Sequence, residues 1–213
     1  MMNADVIAYA SMLHLSRSDV KVLKVKDAYS IHRVVYGLFE DIRTEPDKKG
    51  SVSSGILFAD KGGDFNSRKI LILSDRKPHP TPQFGVVHSK PVSAAFMVRD
   101  RYVFELTINP SRRDSKTGKI LPVVGHENIH QWFLDRASNS WGFSVSPDNL
   151  EIVKIGVQTF EKDGCTITHG SATLKGALTV TDRDLFVKSF TKGVGRGRAF
   201  GFGLLQIVPL LDS

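Results

Sequence analysis

Tyr29 and His32 lie three positions apart in DAYSIHRVVYGLF (27–39), so on a helix they share one face. An imidazole with a pKa of about 6.5 can accept and donate protons near neutrality. A tyrosine one turn away can hydrogen-bond a phosphate oxygen or orient an attacking hydroxyl. Read alone, the pair is equally an uninvolved histidine beside a packed tyrosine. A second constellation is the tail TKGVGRGRAFGFGLLQIVPL (191–210), where Gly193, Gly195, Gly197, Gly201 and Gly203 alternate with Arg196, Arg198, Phe200 and Phe202. Glycine lets backbone approach a ligand closely, and successive N–H groups beside arginines make a seat for phosphate oxygens. The competing reading is a series of plain tight turns. Phe200 and Phe202 can stack on bases, yet beside the apolar run 204–210 they read better as core.

His126-Glu127-Asn128-Ile129-His130 matches H-E-x-x-H, which on a helix sets two imidazoles one turn apart with Glu127 as a general base for zinc hydrolysis. The extended pattern is broken by Phe133 and Arg136, and Glu151 or Glu161 could serve as third ligand only if the fold returned them. The tail is not a nucleotide loop either. It lacks the Lys-Ser/Thr ending and precedes a strand instead of opening a helix. His14, His79, His88 and His169 read as strand-end, proline-loop and mid-hairpin residues without a chemical role, and Cys165 as a small buried one.

The elements that position these residues follow from periodicity. Val6–Leu15 predicts a strand, and Asp27 an N-cap for a helix over 28–42, with Ile31, Val34, Val35, Leu38 and Ile42 on its apolar face. Strands are expected over 55–60, 69–74 and 102–108, with Pro78, Pro80 and Pro82 interrupting regular structure between the last two. SRRDSKTGK (111–119) is a basic, turn-rich segment. A helix over 126–138, strands over 150–160 and 166–181, a helix capped by Asp182 and a strand over 204–209 complete the order. Trp132, Phe133 and Trp141 read as core. The order predicts an α+β protein of two tandem ferredoxin-like domains, residues 1–112 and 113–213, the first with a weak second helix.

A formal charge of +7 and a pI near 9.5 favour an acidic partner, nucleic acid ahead of a membrane surface because no long basic amphipathic helix occurs. Apolar content of 41% and charged content of 24% are those of a soluble globular protein. With one cysteine, neither an intramolecular disulfide nor a cysteine zinc cluster can form, which suits a reducing cytoplasm. The first residues lack a basic n-region and carry Asp5, unlike a signal peptide, and no apolar run reaches the roughly 18 residues of a membrane span.

Three segments together resemble one family. DAYSIHRVVYGLF (27–39) is similar to the first-helix motif of the CasE family of CRISPR-associated endoribonucleases, within the RAMP superfamily of tandem ferredoxin-like RNA-binding proteins. FELTINPSRRDSKTGKILPV (104–123) resembles its central strand, Asn-Pro turn and basic segment, and 173–210 its last hairpin, helix and glycine-rich loop. Residues 44–100 match only loosely. The resemblance implies a metal-independent cut at the base of the CRISPR repeat hairpin, without cofactor, leaving a 2′,3′-cyclic phosphate and a 5′-hydroxyl. It further implies that the guide RNA is retained in the Cascade complex with its other subunits. His32 is then expected to assist proton transfer and Tyr29 to position the phosphate. Arg112, Arg113, Lys116 and Lys119 are expected to contact the RNA stem, helped by Arg196, Arg198, Gly195 and Gly197; a solvated basic loop is the alternative. Duplex RNA is read mainly through phosphates, 2′-hydroxyls and shape, which basic loops suit. A non-catalytic RNA-binding scaffold of the same superfamily is the alternative function, and a zinc hydrolase using His126, Glu127 and His130 a distant one.

Overall fold

The structure, a computed structural model, describes residues 5–49, 52–63, 67–162 and 164–210. In chain order the elements are β1 (Val6–Ser16), α1 (Arg17–Val22), α2 (Ala28–Tyr36), α3 (Glu45–Lys49), β2 (Ile56–Gly63), β3 (Ser67–Ser74), β4 (Val86–Ser93), β5 (Arg101–Ile108), β6 (Ser111–Arg113), β7 (Ile120–Pro122), α4 (His126–Ser140), β8 (Phe143–Lys162), β9 (Cys165–Val180), α5 (Arg183–Lys192) and β10 (Gln206–Pro209). The first sheet runs β2-β3-β1-β4 and the second β10-β5-β9-β8, all antiparallel. Both are the ferredoxin-like order, so the protein is α+β with two tandem ferredoxin-like domains.

Helix α2 starts where a reciprocal cap forces it to. The Asp27 carboxylate accepts from Ser30 N at 2.7 Å, and the Ser30 hydroxyl accepts from Asp27 N at 3.0 Å. Such a cap is worth about 1 kcal/mol. The helix ends at Tyr36, short of the expected residue 42, because the chain is captured by tertiary contacts. Arg76 donates to the Glu40 carbonyl at 2.9 Å, its guanidinium lies over the Phe39 ring, and Leu38 is buried. Ile42, expected on the apolar face, is 64% exposed.

Strands β2 and β3 of the first sheet bury side chains on both faces, which explains their continuous apolar runs. Phe58, Ile70 and Ile72 pack with Leu13, Leu15, Ile31 and Val35 under α2. Leu57, Ala59 and Leu73 point the other way and join the second domain's core of Tyr102, Phe104, Phe133, Phe143 and Phe186. Across this junction Lys61 of β2 pairs with Glu105 of β5 and donates to Gln206 of β10.

Four expectations need correction. β5 pairs with β9 and β10, so the second sheet begins at Arg101 and the division expected at 112/113 cuts through its domain. The first domain's last strand is β4 instead, in the region expected to be irregular; His88 lies within it, opposite Met12. Proline is tolerated there because β4 is an edge strand pairing only with β1, and Pro91 needs no second ladder. Cys165 is exposed, at the end of the β8–β9 hairpin nearest its tip. The last apolar run is buried at Leu204 and Leu205, whereas β10 is a half-exposed edge strand.

Candidate active site and nucleic-acid interface

On α2, Ser30, Ile31 and Val35 enter the core, which leaves Tyr29, His32 and Tyr36 stacked along the opposite stripe. The Tyr29 and His32 rings are nearly parallel, 11° apart with centroids at 6.0 Å, and the Tyr36 ring lies 4.0 Å from the imidazole. Tyr36 is anchored in turn through its hydroxyl, 2.7 Å from the Ser54 hydroxyl. Arg33 places its guanidinium 5.7 Å from the Tyr29 ring.

The second domain completes the group. His32 Nδ1 donates to the Ala199 carbonyl oxygen at 2.8 Å. A carbonyl only accepts, so the neutral ring carries its proton on Nδ1 and its basic lone pair on Nε2. Ala199 lies in a short 3-10 turn (Arg198–Phe200) bracketed by Gly197 and Gly201, both left-handed at φ 76° and 84°. A side chain at either position would be strained, which is one physical use of the glycine repeat. Phe200 from the same turn sits 5.9 Å from the His32 ring and 4.5 Å from Phe160 of β8, and Phe160 stacks on Tyr29 at 6.3 Å.

The basic residues divide between two neighbouring loops. Arg112 and Arg113 lie on β6 and Lys116 and Lys119 in the turn to β7; all four are exposed. Asp114 shapes that turn by accepting from Thr117 N at 2.7 Å and from the Thr117 hydroxyl, which holds its carboxyl below the usual carboxylate range. Arg113 reaches back to the Gly118 carbonyl at 2.8 Å. In the glycine loop, Arg196 and Gly195 are exposed, whereas Arg198 is turned inward and donates to the Lys192 carbonyl at 2.8 Å. Gly197 faces Phe202, which is fully buried. A β-bridge between Asn109 and Arg196 ties the two loops together.

Tyr29 and His32 are therefore brought together with the glycine loop. Phe160 and Tyr36 are contacts the sequence did not single out, and His169, read from the sequence as a mid-hairpin residue without a chemical role, packs against Phe160 and Phe200. Phe160 and His169 are delivered by β-register between β8 and β9, which leaves no local signal; Tyr36 was legible as the next turn of the same stripe. The H-E-x-x-H residues sit at the start of α4, with His126 and Glu127 mostly exposed and His130 directed to the Pro147 carbonyl at 3.3 Å. Among the described residues, no group of three or more His, Cys, Asp or Glu side chains is placed to hold a metal ion.

The model of a family described as CRISPR associated protein matches residues 8–209. The chain is 22% identical over 210 residues, 93% of this chain and 100% of the relative, to the CRISPR system Cascade subunit CasE of Escherichia coli (strain K12). It is 28% identical over 130 residues, 56% of this chain and 61% of the relative, to the CRISPR-associated endoribonuclease Cse3 of Thermus thermophilus. The fold is similar, with a TM-score of 0.74 and 19% identity over 95% of this chain and 99% of the other, to Thermus thermophilus Cse3 bound to an RNA representing a pre-cleavage complex. With its motifs in the order expected and the family model spanning both domains, the chain belongs to the CRISPR-associated protein family.

Proposed function

We propose that this protein is a CRISPR repeat-RNA endoribonuclease that needs no metal ion for the cut. The observation that carries the reading is the 2.8 Å bond from His32 Nδ1 to Ala199, which makes Nε2 the basic nitrogen of a ring stacked beside that of Tyr29. In the proposed step, His32 takes the proton of a ribose 2′-hydroxyl, whose oxygen attacks the adjacent phosphorus. The P–O5′ bond breaks and the 5′-oxygen takes a proton from solvent water, leaving a 2′,3′-cyclic phosphate and a 5′-hydroxyl. The Tyr29 hydroxyl hydrogen-bonds the phosphate as negative charge builds on it. Arg112, Arg113, Lys116 and Lys119 grip the stem through its phosphates, with Arg196 and the open backbone of Gly195 seating the strand near the cut.

The relatives extend this reading to the assembly. A Cascade subunit and an RNA-bound endoribonuclease share its family and fold, and the proposed protein keeps its cleaved guide and works as a subunit of such a complex. No helix among the described residues is long and apolar enough to cross a membrane, in keeping with a cytoplasmic role. The test is a repeat RNA with a single 2′-deoxy nucleotide on the 5′ side of the cut. That substitution should abolish cleavage in EDTA while leaving binding intact. Cleavage of the deoxy substrate would sink the proposed nucleophile.

A further inference from the structure

We propose that His169 is a positioning residue for this reaction. With Phe160 and Phe200 it forms the second-domain half of the active site, holding the Tyr29 ring and the Ala199 carbonyl that fixes His32. The inference rests on the ribonuclease reading of the site. His169 lies on β9, its ring 5.8 Å from Phe160, 5.6 Å from Phe200 and, edge-on, 5.9 Å from Phe202. Phe160 in turn stacks on Tyr29, and Phe200 packs on His32. Each proposed reacting side chain thus rests on one phenylalanine, and both phenylalanines rest on His169.

The imidazole is itself held from behind. Asn109, 9% exposed, donates its side-chain Nδ2 to His169 Nδ1 at 3.1 Å, and the Asn109 backbone bridges to Arg196 in the glycine loop. His169 Nδ1 is therefore the acceptor, and the ring proton sits on Nε2. That Nε2 is buried with no hydrogen-bond partner among the described residues. A phenylalanine here would bury no orphaned donor, so the histidine costs stability that packing alone does not explain. What it adds is a ring locked in rotation by Asn109, against which Phe160 and Phe200 cannot slide. Proton transfer is sensitive to such sliding, since a displacement of about 1 Å can cost about 100-fold in rate.

The experiment compares wild type, His169→Ala and Phe160→Leu in three measurements. These are the single-turnover cleavage rate of repeat RNA at saturating protein, Kd for the 2′-deoxy RNA, and long-range 15N–1H spectra of His32 in the free protein. The proposal expects each variant to cleave at least tenfold more slowly with Kd within twofold of wild type. It also expects His32 to change from the Nδ1–H tautomer to a mixture. Unchanged rates would overturn it, as would a rate loss matched by an equal loss of binding with the His32 tautomer as in wild type. If His169→Ala does not fold, Phe160→Leu, which keeps an apolar side chain in a buried position, decides the matter. If the wild type itself does not cut RNA, the ribonuclease reading falls, and the His32 tautomer in the free variants still upholds or refutes the positioning role.

Discussion

His32 Nδ1 and the Ala199 carbonyl oxygen are 2.8 Å apart across 167 residues of chain. One domain supplies the imidazole and the other decides which of its nitrogens carries the proton. Chemistry at this site therefore depends on the conformation of the glycine loop as much as on α2, and the loop's conformation depends on residues that only glycine satisfies without strain.

The loop glycines should not be equivalent. A Cβ at Gly195 (φ 71°) meets nothing within 4 Å, one at Gly197 lies 2.8 Å from the Phe202 ring, and one at Gly203 lies 2.1 Å from the Val194 carbonyl oxygen. Gly195→Ala should cost only the left-handed penalty, about 1–2 kcal/mol. Gly203→Ala should cost most, because the obstructing atom is backbone, and Gly197→Ala should fall between while slowing cleavage through Ala199. Urea midpoints ranking the three otherwise would contradict the steric account.

Glu105 of β5 pairs with Lys61 of the other domain at 2.5 Å and with Lys175 of its own sheet at 3.1 Å. Burial alone would raise its pKa, but the two lysines outweigh it and hold the carboxyl below the ordinary carboxylate value. A depressed folded pKa gives stability that is complete above the unfolded value, about 4.3, and lost as pH falls through the folded one. The lysine side chains are part-exposed, so the amount is small, roughly 1 kcal/mol or less. Glu105→Gln should flatten the stability curve below about pH 4.3 relative to wild type. Parallel curves would remove the pair from the ledger.

His169 gives a second pH window. Burial lowers its pKa from the ordinary value near 6.5, so the folded state prefers the neutral ring. Stability from this group is complete above about pH 6.5 and declines as acid protonates the unfolded chain first. Thermal unfolding of His169→Leu should depend less on pH between about 6.5 and 5 than that of wild type. An equal slope would mean that His169 takes up protons equally in the folded and unfolded chain.

RNA affinity should separate the arginines by geometry. Arg112 is exposed on β6, whereas the Arg198 guanidinium is bonded to the Lys192 carbonyl. Arg112→Ala should reduce the salt dependence of repeat-RNA binding by roughly 0.7–0.9 in slope, one phosphate's worth. Arg198→Ala should leave the slope near wild type and lower thermal stability instead. Identical slopes in wild type and Arg112→Ala would take Arg112 out of the interface.

Local signals made much of this molecule legible. Asp27 and Asp182 cap the helices they were expected to cap, and the apolar stripe of α2 faces the core. The Tyr29–His32 spacing and the glycine repeat each stood out in the sequence, and the structure packs one against the other. What could not be read were long-range pairings. β4 was hidden in a stretch read as proline-rich loop, since the harm a proline does to a strand vanishes only at a sheet edge. β5 looks the same in sequence whichever sheet it joins, so the domain division was misplaced. His169 meets Phe160 only because of the β8–β9 register and Phe200 only because of the loop's left-handed glycines. Neither leaves a periodic trace.

The most direct test of the account is cleavage of this protein's own CRISPR repeat RNA in EDTA by wild type and by His32→Ala. The account predicts a single cut at the base of the hairpin with a 2′,3′-cyclic phosphate end in wild type. His32→Ala should cut at least 100-fold more slowly, the usual lower bound for losing a general base, while binding the RNA as tightly. Equal cutting by the two proteins, or tight binding without a cut by either, would contradict it and leave His32 an ordinary helix residue.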